Sequence, residues 1–387
     1  MQIAIYCPDT HILYDGDLPD RIGVGGGVTA RIRIAAALAR KGHTVSVIGN
    51  CPRESVHGGV RYTPLKDTPR IDCEVLVMHS SSGIPDLSPL LAVEIHADLR
   101  VLFLSGVPLP AASDQLRPDT FYACSNFIRN EVLGAGVPGE KLFVSYHGVN
   151  SWNKRSLIGP LRDRRRLIYS SHPFKGLAAA VELTRRLREH DNRFRLHCFG
   201  GQRLCGRPEE APPPDDALVY GGLLNQRQLA VEYKRSGFAM QLQTRPEPFG
   251  ITVIEAMAAG CIVVGSPVGS LPELIRHGET GFLIEGDPSH PDTINRATDL
   301  IRTLSRDGSL MRKIGRQAAE AVLDWDQVAE VWGAHFEWLL GRNKPQRANC
   351  PECHAPSLIL ADGSHCTSCG LFIKDRSLAV MTNFAPK

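Results

Sequence analysis

Short apolar runs alternate with amphipathic, helix-length stretches along most of this chain, and the alternation runs through twice. That pattern is the tightest constraint on the fold. A strand–helix–strand series closes by laying its strands side by side in parallel and packing the helices on the sheet. In the first series, residues 2–7, QIAIYC, read as a buried strand. A polar, Gly-rich loop leads to Gly25-Gly26-Gly27, and a helix pattern over residues 28–41 is closed by Gly42. Residues 44–48, 74–78 and 101–104 read as further strands. The pattern then restarts with a strand at 166–169, a helix at 177–190 and a strand at 194–199. A Pro- and acid-rich loop at 206–216 follows, then a strand at 218–220, a helix at 226–235 and a strand at 238–242. A helix at 252–259 leads into a last strand at 262–264. Two α/β halves are expected, joined near residues 151–165.

Length and charge agree with that division. A chain of 387 residues is too long for one ordinary core and suggests two or three domains. The net charge of +3 argues against a nucleic-acid binder that works by bulk electrostatics. The densest basic run, Arg162, Arg164, Arg165 and Arg166, is interrupted by Asp163 and reads as a solvated linker. No stretch approaches the ~20 apolar residues that cross a bilayer. The opening MQIAIYCPD is a strand pattern without the basic start and apolar run of a signal peptide. The expectation is a cytoplasmic protein with no transmembrane segment, contact with a membrane surface being left open. Seven of the 11 cysteines are scattered, several in apolar runs, where a free thiol behaves as a small hydrophobe.

Two segments carry chemistry. Gly25-Gly26-Gly27 stands between a strand and a helix, where glycine permits close approach to a phosphate and a helix N-terminus offers free N–H groups. The spacing is not GxGxxG, so a dinucleotide site has little support, and a flexible turn is the alternative. The second half is more informative. From Arg245 the chain reads RPEPFGITVIEAMAAG, which places Glu247 in a Pro- and Gly-containing loop and Glu255 in the helix that follows. Such a loop puts a carboxylate and several backbone amides at the mouth of a parallel sheet, where ligands bind. Carboxylates accept paired hydrogen bonds from the vicinal hydroxyls of sugars and ribose. The plainer alternative makes Glu247 a solvated loop residue and Glu255 a charge favoured by the helix dipole.

These residues resemble the retaining glycosyltransferases of the GT-B fold, in the large family 4 group. The resemblance runs from about residue 1 to 340 and is most specific across 220–287. There the Glu-x7-Glu motif stands as EPFGITVIE, followed by AMAAG and VGSLPELIRHGETGFLIEGD. Gly25-Gly26 with Gly42-His43-Thr44-Val45 matches the first-half signature, and HGVN at 147–150 the turn before the linker. The resemblance implies an α/β fold of GT-B type, two Rossmann-like domains facing a cleft. Residues 1–155 would form the acceptor domain, joined by a crossover helix at 325–341, and residues 165–324 the nucleotide-sugar donor domain. It implies transfer of a sugar, with retention of anomeric configuration, from a UDP- or GDP-sugar to an acceptor the sequence does not name: a glycan, a lipid-linked compound or a small molecule. Glu247 would contact the donor sugar and Glu255 the ribose hydroxyls. The amides of Phe249, Gly250 and Ile251 would face the sugar or diphosphate, with Gly25 and Gly26 against the same diphosphate. Lys175, in SSHPFKG, matches the lysine that neutralises the leaving diphosphate, so Lys175 and Glu247 are the catalytic candidates. The arginine that accompanies that lysine is replaced by Ser171 or His172. The family's first-domain histidine is also missing from VLFLSGVPLP, which offers Ser105 and Gly106; His79, earlier in the chain, is a substitute candidate whose plainer role is structural. These two departures motivate an alternative, a catalytically impaired nucleotide-sugar-binding or scaffold protein.

The tail is a separate matter. Residues 350–369 read CPECHAPSLILADGSHCTSC, two Cys-x2-Cys knuckles separated by 12 residues. Four thiolates at this spacing suit a tetrahedral, structural Zn²⁺ held by Cys350, Cys353, Cys366 and Cys369, in a zinc-ribbon-like module over residues 348–375. A rubredoxin-type iron site has similar knuckles; so short a tail favours zinc. His354 and His365 are expected to be bystanders, because four sulfurs close the shell. The module would be a structural cap or a docking element for a protein partner. A nucleic-acid role finds no support in its modest charge.

Overall fold

The computed structural model describes residues 1–81, 84–154, 161–205, 215–342, 347–360 and 363–373. Part of the expected joint at 151–165, most of the loop at 206–216, residues 343–346 of the polar linker and the end of the tail lie outside the described residues. In chain order the first elements are β1 (Gln2–Tyr6), α1 (Leu18–Arg21), α2 (Gly26–Arg40), β2 (Thr44–Gly49), β3 (Ser55–His57), β4 (Val60–Pro64), β5 (Arg70–His79) and β6 (Glu94–Leu104). Then come α3 (Ser113–Leu116), β7 (Thr120–Ala123), α4 (Asn126–Gly134) and β8 (Leu142–Val144). The second series is β9 (Asp163–Ser170), α5 (Leu177–His190), β10 (Arg195–Phe199), β11 (Leu218–Gly222), α6 (Gln226–Arg235), β12 (Ser236–Gln241), α7 (Ile251–Ala258) and β13 (Ile262–Gly265). It ends with α8 (Leu271–Leu274), β14 (Gly281–Leu283), α9 (Pro291–Arg306), α10 (Gly308–Ala321) and α11 (Trp325–Leu339). Four short strands follow among the described residues: β15 (Arg347–Asn349), β16 (Pro356–Leu360), β17 (Gly363–Cys366) and β18 (Phe372–Ile373).

These form two compact units. The first comprises Met1–Asp17, Gly27–Gly148 and Leu323–Lys387; the second comprises Leu18–Gly26 and Val149–Val322. The first unit holds an eight-stranded sheet in the order β3-β4-β2-β1-β5-β6-β7-β8, parallel except for the β3–β4 pair. Its central strands are buried on both faces, so the run Val75 to Met78 in β5 is continuously apolar rather than alternating. The second unit holds a six-stranded, wholly parallel sheet in the order β11-β10-β9-β12-β13-β14. Leu167, Phe238, Met240 and Val264 from its strands pack with Leu183 and Leu187 of α5 and with Ile301 of α9 in one core.

In each unit the strand order reverses beside its first strand. The chain winds outward through β9, β10 and β11, then returns to the other side of β9 with β12. In the first unit the reversal falls between β1 and β5. At such a switch point the loops after neighbouring strands diverge and leave a crevice outside the strands' carboxyl ends.

Candidate active site and metal centre

The second unit's switch point is where the expected residues gather. After β9 the chain makes a tight turn, Pro173–Lys175, whose first residue is held by His172. The His172 ring donates from Nε2 to Gln202 Oε1 at 2.8 Å and accepts at Nδ1 from the Phe174 amide at 3.4 Å. Its carbonyl accepts from the Tyr169 hydroxyl at 2.6 Å. Of the two residues that stand where the resemblance would put an arginine, Ser171 and His172, the second is largely buried and fixes the turn. Gly176 then enters α5 at φ 101°, with a Cβ there colliding with the Leu242 carbonyl oxygen. Only glycine supplies that backbone in that space.

The turn aims Lys175 across the switch point at the loop after β12. Its ammonium donates to both oxygens of Glu247, at 2.9 and 3.1 Å. Gln243 Nε2 adds a longer bond to Glu247 Oε2 at 3.4 Å. The Glu247 backbone is itself fixed: its carbonyl accepts from Ser270 N at 2.9 Å, and Gly269, at φ 60°, lies so close to it that no side chain fits. The Ser270 hydroxyl bonds the Phe249 carbonyl at 2.7 Å, and Gly250 starts α7. Glu255 lies in α7 and is buried, its Oε1 accepting from Gln226 Nε2 at 2.8 Å. The Gly-rich turn joins this group. Gly25 faces the Leu204 carbonyl, and a Cβ on Gly26 would stand 3.4 Å from the Ile251 side chain.

Lys175 and Glu247 are thus brought together, Glu255 stands in the next helix with a different partner, Phe249, Gly250 and Ile251 lead from Glu247 into that helix, and Gly26 meets Ile251. His79 lies elsewhere, inside the first unit, with Arg31 donating to its Nδ1 at 3.3 Å. Burial, reinforced by Arg31, pushes its pKa down to about 3. Sequence reasoning missed Gln226, Gln243 and the turn-holding role of His172. It also missed Arg245, stacked 4.7 Å over the Phe174 ring beside Lys175. Gln226 reaches Glu255 from 29 residues earlier and His172 meets Gln202 30 residues on, separations that carry no spacing signal.

The four cysteines converge as their spacing implies. Their sulfurs all lie within 4.8 Å of one another. Cys350 and Cys369 are 3.6 Å apart, and Cys353 and Cys366 3.5 Å. A tetrahedral ZnS₄ centre with bonds near 2.3 Å has edges of about 3.8 Å, so the set fits. The knuckles are built alike. His354 N bonds Cys350 O and Gly370 N bonds Cys366 O, each from a left-handed residue. The Ser368 and Cys369 amides point at Cys366 Sγ, at 3.4 and 3.3 Å, as a thiolate requires. His365 has a role the sequence did not disclose. Buried, it donates from Nε2 to the Val144 carbonyl of the edge strand β8 at 2.9 Å, while Asn126 donates to the Cys369 carbonyl at 2.6 Å. The ribbon is docked on the first unit.

Comparison with known proteins bears on the second unit most directly. The family described as Glycosyl transferases group 1 matches residues 163–321. An uncharacterized glycosyltransferase of Methanocaldococcus jannaschii is 29% identical over 230 residues, 53% of this chain and 56% of the relative. The curated relatives that the chain matches are spanned over 19% to 56% of their own length. Among solved structures, a glycosyltransferase from Rickettsia africae superposes with a TM-score of 0.65 at 16% identity, covering 88% of this chain and 99% of the other. The Anabaena HepE protein in complex with UDP-glucose has a TM-score of 0.60 at 14% identity, covering 89% and 100%. The fold is GT-B.

Proposed function

We propose that this protein is a retaining glycosyltransferase that takes a sugar from a UDP- or GDP-sugar, with the donor held in the second unit. The observation that carries the reading is the Lys175–Glu247 pair at the β9–β12 switch point, with both Glu247 oxygens on one ammonium. The pair is part-exposed, 30% and 14% by side chain, and pairs of that kind contribute roughly 0–1 kcal/mol. A diphosphate therefore draws the ammonium away at small cost and leaves Glu247 to accept sugar hydroxyls. As the bond between the sugar C1 and the phosphate oxygen breaks, its electron pair passes to the nucleoside diphosphate, whose growing charge Lys175 meets, while an acceptor hydroxyl oxygen bonds to C1 and gives up its proton to the leaving phosphate. Amides near Gly250 and the Gly25-Gly26 turn face the same group, and Glu255 takes the ribose hydroxyls.

The acceptor falls to loops of the first unit, whose own switch point carries Asp9. That carboxylate accepts from Ser80 Oγ at 2.7 Å and from Ser81 N and Oγ at 2.7 and 3.0 Å. The Cys₄ set holds a structural Zn²⁺; a closed thiolate shell leaves no position for substrate. No helix of the described residues is long and apolar enough to cross a membrane.

A panel of UDP- and GDP-sugars tests the reading by thermal shift. A ligand at 100 times its Kd stabilises the folded state by ~2.7 kcal/mol, so the matching donor raises the melting point by several degrees. A panel in which no nucleotide or nucleotide sugar moves it would overturn the assignment.

A further inference from the structure

We infer that Arg245 is a second cation of the donor site, and that its guanidinium binds the distal phosphate of the nucleoside diphosphate beside Lys175. The inference rests on that diphosphate being held at Lys175. Three observations carry it. First, two contacts join the same pair of loops, the turn after β9 and the loop after β12. Lys175 is bonded to Glu247, and Phe174, one residue before Lys175, lies under Arg245, two residues before Glu247. The guanidinium carbon is 4.7 Å from the centre of the Phe174 ring.

Second, the placement is fixed from both loops. The Phe174 ring packs on the His172 ring, their centroids 4.0 Å apart, and His172 is bonded in turn to Gln202. On the other loop, Pro246 and Pro248 each bias the residue before them to extended backbone, which makes the Arg245–Glu247 stretch stiff, and Ser270 N anchors the Glu247 carbonyl.

Third, the guanidinium is available. It is exposed, and among the described residues it has no hydrogen bond or ion pair; the ring alone holds it. Attraction to a ring face uses the cation's charge and leaves its planar fork of N–H donors for another group. That fork matches two oxygens of one phosphate. A departing nucleoside diphosphate carries more than one negative charge, and a single ammonium offsets only part of it. An arginine present only to cover an apolar ring would hide it, yet Phe174 stays 50% exposed.

The test titrates UDP, UMP, GDP and GMP into the full chain and its variants. Arg245 is exposed and Phe174 half-exposed, so their variants are expected to keep the wild-type melting point. Wild type binds at least one of the two diphosphates, more tightly than its monophosphate. Arg245→Gln weakens diphosphate binding about tenfold and monophosphate binding less than twofold, so the preference collapses. Arg245→Lys, which keeps the charge without the fork, loses about threefold. Phe174→Leu, which removes the platform, also loses about threefold, and adds nothing further once Arg245 is glutamine. Unchanged diphosphate affinity in Arg245→Gln, equal losses for both nucleotide forms, or a Phe174→Leu loss that persists in full beside Arg245→Gln overturns the inference alone. No binding by wild type, or undiminished diphosphate binding by Glu255→Ala, overturns the donor-site reading beneath it.

Discussion

The Lys175 ammonium is bonded to both oxygens of Glu247, and replacing it separates two roles. If Lys175 meets charge that grows on the leaving phosphate, Lys175→Ala lowers turnover about a hundredfold or more while donor affinity changes far less. Rapid-quench turnover beside calorimetric donor affinity checks it; a change confined to affinity would make Lys175 a binding residue only. Gly176 tests the scaffold. At φ 101° and against the Leu242 carbonyl, Gly176→Ala is expected to cost about 2 kcal/mol or more, read as a lowered melting point without loss of the Lys175 side chain. At this scale much of the site was legible. Glu247 and Glu255 stand eight positions apart around a Gly turn, and Lys175 sits in a strand-to-helix turn. What was not legible is who holds them. Gln226 reaches Glu255 from 29 residues earlier in the chain, and His172 looked like a vacancy in a charge clamp when it is the residue that shapes the turn.

Among the elements, the Cys-rich strands answer a question that the first unit's sheet poses. β8 is an edge strand, and an edge presents unpaired backbone groups to any passing strand. His365 takes the Val144 carbonyl, Gly370 leaves no room for a Cβ against the Val144 side chain, and Phe143 of the same strand stacks on His335 of α11 at 3.9 Å. The expectation is one Zn²⁺ per chain by elemental analysis. Removing everything after residue 342 should abolish the metal and keep both sheets folded. It should also strip one buried and one part-buried hydrogen bond of about 1 kcal/mol each, lowering the first unit's melting point by roughly 4–8 °C. Zinc retained by the truncated chain, or none in the intact one, would contradict the account. The cysteine spacing disclosed the knuckles but not this docking, because the partners Val144 and Asn126 lie more than two hundred residues away. Other elements were silent for local reasons. β3 is three residues at a sheet edge, and α9 and α10 are separate helices with the Asp307 carboxylate capping Ser309 N and Leu310 N.

Over the whole molecule the alternating apolar runs foretold two parallel sheets, and their strand orders place one switch point in each. The burial of imidazoles in the first unit adds a pH dependence. Burial lowers His147 from 6.5 to about 4, and burial followed by neighbouring cations or imidazoles lowers His79 and His335 to about 3. The unfolded chain binds these protons below pH 6.5 and the folded chain does not, so stability is complete above that pH. It drains away as pH falls toward 4, by up to roughly 3 kcal/mol per ring. Melting curves from pH 7.5 to 4.5 should show the first unit weakening steadily; a flat profile would mean that these rings are hydrated. On the function proposed above, the second unit's switch point binds a nucleoside-diphosphate sugar through Glu255, Glu247 and Lys175. Its most direct measurement is calorimetric titration of wild type and Glu255→Ala with the donor that the nucleotide-sugar panel selects. One saturable site is expected in wild type and a loss of about 1.5–3 kcal/mol in the variant, roughly ten- to a hundredfold in Kd. Equal affinity in the two proteins would contradict it.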